Sequence, residues 1–118
     1  MVTSDLSARI NDVLRYVGIT RNMNAYMILS QALTLIAEDE DRLRAVEKEI
    51  YTPIADKNLR GPRAVQSTIR RASKVADFFS DCVQELAGYP LNGRPSAVTM
   101  LELLYNGVAR YDDLSILK

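Results

Sequence analysis

Residues 51–76 read YTPIADKNLRGPRAVQSTIRRASKVA, and the rest of the chain is organised around this stretch. Pro53 suits the first turn of a short helix that continues through Ile54 and Ala55 to about Leu59, because the N–H that Pro lacks is one a helix start leaves unbonded anyway. Arg60-Gly61-Pro62 reads as a turn, and Pro62 opens a second, longer helix. A short helix, a turn and a basic helix make a helix-turn-helix layout. Ala55 is small, as a close crossing of two helices requires. Val65 and Ile69 are spaced to pin the second helix onto the first, and Ala72, Val75 and Ala76 continue the apolar stripe at helical spacing. Position 59 is Leu where the common turn of this kind has Gly, and Gly61 follows two residues later. The turn is therefore expected to be longer than the minimal one.

Helix geometry then fixes the opposite face. Arg63, Gln66, Ser67, Arg70 and Lys74 fall on one side, with Arg60 and Arg71 at its flanks. Long cations reach phosphates and guanine edges, and the Gln66 amide can pair with adenine N6 and N7. The expected partner is double-stranded DNA, with a recognition helix over about 62–76 entering the major groove. The charge distribution agrees. The chain carries 15 bases and 15 acids, for a net charge of zero. Residues 1–56 hold nine acids and six bases, residues 57–76 hold six bases and no acid, and residues 77–118 hold six acids and three bases. A basic island in an otherwise acidic chain points to a polyanion. The plain alternative is a solvated basic face on an ordinary bundle helix.

Outward from this stretch, every segment reads as helix. Leu6, Ile10, Val13, Leu14 and Val17 line one face of a helix over about Asp5 to Val17, which Gly18 ends. Residues 23–38 are apolar around most of the circumference, as in a central buried helix. A further helix is expected from about Asp41 to Tyr51, carrying Leu43, Val46 and Ile50. Glu38-Asp39-Glu40-Asp41 belongs to the junction before it, since neither a glycine nor a closing glutamate sits at calcium-loop spacing. The helix opened by Pro62 is expected to run to Leu86, with a break near Ser80-Asp81. Residues 87–95, with Gly88, Pro90, Gly93 and Pro95, form a loop. Ser96 caps a last helix to about Tyr111, with Val98, Leu101, Leu104, Tyr105 and Val108 on its apolar face. The fold class is all-α, about six helices containing a helix-turn-helix, in one domain over 1–118.

Composition excludes several functions. The chain has 118 residues, 47% apolar and 25% charged, which is globular rather than disordered. It has no His. Ser-His-Asp and Cys-His catalysis, His-bearing zinc sites and a His-based pH switch are therefore excluded. The one Cys, Cys82, forms no internal disulfide and reads as a buried structural thiol beside Phe78, Phe79 and Val83. Asp112-Asp113 lies in a tail without an acid/base partner. Tyr26, Tyr51 and Tyr105 read as core. No enzyme constellation, metal site or cofactor is expected. No apolar run approaches the roughly 20 residues of a membrane span, and Met1-Val2-Thr3-Ser4-Asp5 lacks the features of a signal peptide. The expected location is the cytoplasm.

The chain resembles the DNA-binding effector domains of the sporulation initiation (stage zero, protein A) master regulators of endospore-forming bacteria, over about residues 6 to 110. Tyr16-Val17-Gly18-Ile19 matches the end of that family's first helix, and Ala25-Tyr26-Met27-Ile28-Leu29 the start of its second. The helix-turn-helix aligns without a gap through Tyr51, Ile54, Ala55, Lys57, Val65, Ile69, Arg70, Ala72, Val75 and Ala76. Gly88-Tyr89 and Arg94-Pro95-Ser96 match later landmarks. The resemblance implies a six-helix transcription regulator that binds a short DNA element, pairs head to tail on repeated sites and contacts RNA polymerase sigma subunits. Three departures stand out. The family's base-reading glutamate and arginine are Gln66 and Ser67 here, an arginine two positions earlier is Ala64, and its phosphorylated receiver has no counterpart in these residues. Site preference and phosphate control therefore do not carry over. A protein-interaction or dimerisation module of the same fold, with DNA readout lost at Gln66 and Ser67, is the alternative. The basic island separates the two readings, since a module that no longer binds DNA has no reason to keep it.

Overall fold

The computed structural model describes residues 2–113. Met1 and residues 114–118, which the one-domain reading includes, lie outside the described residues. The helices are α1 (Val2–Tyr16), α2 (Asn24–Glu38), α3 (Thr52–Asn58), α4 (Pro62–Ala72), α5 (Ser80–Ala87) and α6 (Ala97–Ala109). Among the described residues there is no strand, so the all-α expectation holds.

The stripe read on α1 is the buried one: Ile10, Val13, Leu14 and Val17 all lie in the core. The helix ends at Gly18, whose φ of +87° is a left-handed conformation open to Gly. There the Gly18 N–H bonds the Arg15 carbonyl and the Ile19 N–H bonds the Leu14 carbonyl. These two bonds satisfy carbonyls that the helix end would leave open and send Ile19 into the core. The centre is shared by two helices rather than held by α2 alone. α2 buries Ala25, Ile28, Leu29, Ala32, Leu33 and Ile36, while Met27 stays exposed. α6 buries Met100, Leu101, Leu103, Leu104 and Val108, and packs on α1, α2, α4 and α5. Gly107 permits this closeness, because a Cβ there would lie 2.8 Å from Leu86 of α5. Ser96 caps α6 as expected, accepting the Thr99 N–H at 3.2 Å.

The segment before α3 differs from the expected single helix over 41–51. Glu40–Arg44 is a 3-10 turn, the helix is interrupted at Ala45, and Glu47–Tyr51 is a π-helical turn that runs directly into α3. Pro53 explains the wide turn. It has no N–H to offer the carbonyl four residues back, and its ring would crowd that group. That carbonyl belongs to Glu49, and Arg42 Nη1 donates to it at 2.9 Å. The four acids at the junction are each engaged. Asp39 accepts the Asp41 N–H, Glu38 pairs with Arg42, Asp41 pairs with Arg44, and Glu40 accepts the Tyr105 hydroxyl.

Two further corrections concern ends. The helix expected over 62–86 stops at Ala72. Ser73–Asp77 is a 3-10 turn, and α5 starts only at Ser80. The buried Ser73 hydroxyl donates to the Arg70 carbonyl, a local bond that competes with helix continuation. Val75 and Ala76 are consequently half-buried rather than part of the deep stripe. The last helix ends at Ala109, and Tyr111–Asp113 is a 3-10 turn held on α1 rather than a loose tail. The Arg9 guanidinium lies 5.2 Å from the Tyr111 ring centre and bonds Asp112, and the Tyr111 hydroxyl donates to Asp12.

The turn between α3 and α4 is short. Only residues 59–61 separate the two helices, so the expected longer turn is not found. Leu59 itself takes the left-handed conformation, with φ 56°, and is 94% exposed. The Arg60 N–H bonds the Ala55 carbonyl at 2.9 Å across it. Gly61 has an ordinary extended backbone, so the conformationally demanding position is 59. A non-glycine residue there costs about 1–2 kcal/mol. Leu59→Gly relieves that strain and exposes no buried surface, so thermal unfolding should show a Tm raised by a few degrees. Ile69→Asp should do the opposite, since a buried unpaired carboxylate costs several kcal/mol. That variant should lose its helical circular dichroism at temperatures where the parent is folded.

Candidate nucleic-acid interface

α4 packs on α2, α3 and α6. Its buried residues are Val65, Thr68, Ile69 and Ala72. Thr68 is a polar member of a stripe otherwise apolar. It is tolerated because its hydroxyl donates to the Ala64 carbonyl at 2.9 Å, which leaves the methyl to pack. At about 100° per residue, this stripe is centred roughly opposite Arg63, Gln66, Ser67 and Arg70. The core thus dictates which side chains face out.

The expected site residues are all on the outside of one continuous stretch. Arg60 stands in the turn; Arg63, Gln66, Arg70 and Arg71 are exposed on α4; Ser67, on the same side, is half-buried. Lys74 is exposed but lies on the 3-10 turn, beyond the end of the helix expected to carry it. Arg60, Arg63, Arg70 and Arg71 make no ion pair with any described residue, and neither do Arg21 and Arg110, whereas Arg9, Arg15, Arg42, Arg44 and Arg94 do. Lys57 on α3 is also exposed and makes no ion pair with a described residue. The first turn of α4 holds no acid and its N-cap, Gly61, offers no side-chain bond. Its positive dipole end therefore adds to the field of the arginines.

One contributor carries no signal in the sequence. Arg94, in the loop before α6, binds Asp77 with two nitrogens at the exit from α4. The Arg94 guanidinium holds the Asp77 carboxyl below the usual carboxylate range. The partners are far apart in the chain, so no local pattern announces the pair. Cys82 is half-buried rather than fully enclosed. Burial and a hydrogen bond with this thiol push the Tyr16 hydroxyl up to about 12. Of the tyrosines read as core, Tyr51 is buried, while Tyr26 and Tyr105 are half-buried and donate to Asn11 and Glu40. No helix among the described residues is long and apolar enough to cross a membrane. Among them no three His, Cys, Asp or Glu side chains gather where a metal could be held.

A short helix, a tight turn and a helix with an outward, acid-free cationic face define a DNA-binding layout. The chain matches the family described as "Sporulation initiation factor Spo0A C terminal" over residues 10–108, and it belongs to that family. The family is the DNA-binding effector domain of a sporulation regulator, so the chain is a DNA-binding regulatory protein at that level.

Burial and its bond to Glu40 also push the Tyr105 hydroxyl up to about 12. An unfolded tyrosine ionises near 10. The stabilisation from Tyr16 and Tyr105 is therefore full below about 10 and is lost as the pH rises through their folded values. Alkaline titration followed by circular dichroism should show stability falling between about pH 10 and 12, with Tyr105→Phe losing part of that dependence.

Proposed function

We propose that this chain is a sequence-specific transcription regulator that lays α4 in the major groove of double-stranded DNA. The observation that carries this reading is the outward face of α4, where four unpaired arginines flank or share a surface with Gln66 and no acid. Arginines that no carboxylate occupies are available to phosphates and base edges. Gln66, near the middle of α4, and Arg70, in its last turn, are placed to face bases, with the Ser67 hydroxyl beside them. Gln66 suits adenine and Arg70 suits guanine. Four residues advance about 6 Å along a helix, close to two base-pair steps of about 3.4 Å. The two side chains would then meet base pairs about two steps apart. Arg60, Arg71 and Lys74 take phosphates, and Arg63 extends the cationic edge at the start of the helix.

Family membership supports the wider setting. We read 1–118 as one functional unit in the cytoplasm that binds repeated sites as head-to-tail pairs and contacts an RNA polymerase sigma subunit. Gln66 and Ser67 replace the family's reading pair, so the preferred DNA sequence is this chain's own.

A salt titration of binding on a selected site and on random duplex tests the reading. Removing one cation that neutralises a phosphate should flatten the slope of log affinity against log salt by about 0.9. Lys74→Ala should weaken binding to both duplexes alike and flatten that slope. Arg70→Ala should cost about 1–3 kcal/mol on the selected site and much less on random DNA. Gln66→Ala should act in the same way at an adenine. If the parent binds neither duplex at low salt, the chain acts through protein partners instead. If all three variants weaken equally on both duplexes, α4 binds DNA without reading it.

A further inference from the structure

The six bases of residues 57–76 are followed directly by an acid, Asp77. Asp77 is the last residue of the 3-10 turn Ser73–Asp77, and Lys74 lies in the same turn. In a 3-10 turn the side chains at i and i+3 eclipse one another, so Lys74 and Asp77 project to the same side. A carboxylate there is a natural partner for the Lys74 ammonium. Yet Lys74 makes no ion pair with it, although it is close enough for its charge to act on that carboxyl. Both Asp77 oxygens are already taken. Arg94 Nε lies 3.1 Å from each of them, and Arg94 Nη2 lies 2.6 Å from Oδ2.

Arg94 is placed for this by its own surroundings. It directly precedes Pro95, which is buried, and Ser96, which caps α6. The backbone from which Arg94 reaches is therefore tied to the core, and a planar fork held in place matches a carboxylate better than a flexible ammonium does. The arrangement is a competition of two cations for one acid, and the arginine wins it.

We infer that Arg94 is a positioning residue for DNA binding: by occupying both oxygens of Asp77 it leaves the Lys74 ammonium free for a phosphate. Without Arg94, Asp77 would capture Lys74 and also present an unmasked negative charge at the edge of the interface. Arg94 need not touch DNA for this effect. The inference rests on the reading of α4 as the DNA-binding helix, and the test separates the two.

The experiment compares the parent, Arg94→Ala, Arg94→Gln, Asp77→Asn and the double variant Arg94→Ala with Asp77→Asn. Fluorescence anisotropy on one duplex is measured across a salt series, and each protein's Tm is recorded. With the Lys74 ammonium withdrawn from its phosphate, Arg94→Ala should bind roughly threefold to tenfold more weakly at low salt, and its salt slope should flatten by about 0.9. Arg94→Gln, which keeps most of the side-chain stem, should behave in the same way and serves if the alanine variant melts early. Asp77→Asn alone should bind at least as tightly as the parent. Removing the acid should rescue the double variant to within about twofold of the parent and restore its slope. If the double variant stays as weak as Arg94→Ala, Arg94 acts by contacting DNA or by anchoring its loop, and the inference fails. It fails equally if Arg94→Ala and Arg94→Gln bind like the parent. If the parent itself binds no duplex at low salt, the DNA-binding reading falls first and takes this inference with it.

Discussion

Burial of Val65, Thr68, Ile69 and Ala72 beneath α4 is the constraint on which the interface depends. Each large apolar side chain buried there contributes about 1.5–3 kcal/mol. That energy holds α4 against α2, α3 and α6. It also sets the helix rotation, because a turn of the helix about its axis would expose part of the stripe and drive an arginine inward. The outward direction of Arg63, Gln66 and Arg70 is thus a consequence of packing on the other side. No interaction among the outward residues themselves is needed to aim them.

Backbone devices on either side keep the helix short and correctly entered. Pro53 removes a helical hydrogen bond, and Arg42 restores a donor to the Glu49 carbonyl that would otherwise lack one. The chain can therefore pass through a π-helical turn into α3 without a break. At the far side of α3, Leu59 adopts a conformation that L residues avoid. The energy to hold it comes from the packing of α3 and α4 on either side, because the side chain of Leu59 is itself exposed. Beyond α4, the Ser73 hydroxyl ends the regular helix by bonding back to Arg70.

Electrostatics divides the molecule by use. Elsewhere, most arginines are matched to carboxylates: Arg9 to Asp112, Arg15 to Asp12, Arg42 to Glu38 and Glu49, Arg94 to Asp77. Exposed pairs of this kind stabilise a fold only slightly. The Arg94 pair has a further effect: it masks Asp77, the acid in the turn that directly follows α4. The unpaired arginines on and beside α4 then stand out within a chain of zero net charge, which is how a protein without an overall basic balance can present a field to a polyanion.

Read alone, the chain showed the helical class, the buried stripe of α1 apart from the half-buried Leu6, the outward side of α4, the Ser96 cap and the Gly18 stop; on α6 it showed Leu101, Leu104 and Val108 but put the half-buried Val98 and Tyr105 in the stripe in place of the buried Met100 and Leu103. These are local properties: apolar spacing at the helical period and the chemistry of single capping residues act over a few positions. The tertiary structure decided what local pattern does not encode. It placed the break at Ser73 rather than near Ser80, joined the Tyr51 segment to α3 across Pro53, kept the turn at residues 59–61 despite Leu59, and folded the Asp112 turn onto Arg9. It also set Arg94 against Asp77. Each of these depends on a partner that only the folded chain brings near, or on packing energy large enough to overrule a residue's own preference. Spacing along the chain shows which side chains could meet, but their competition for the same acid or the same carbonyl is settled only in three dimensions.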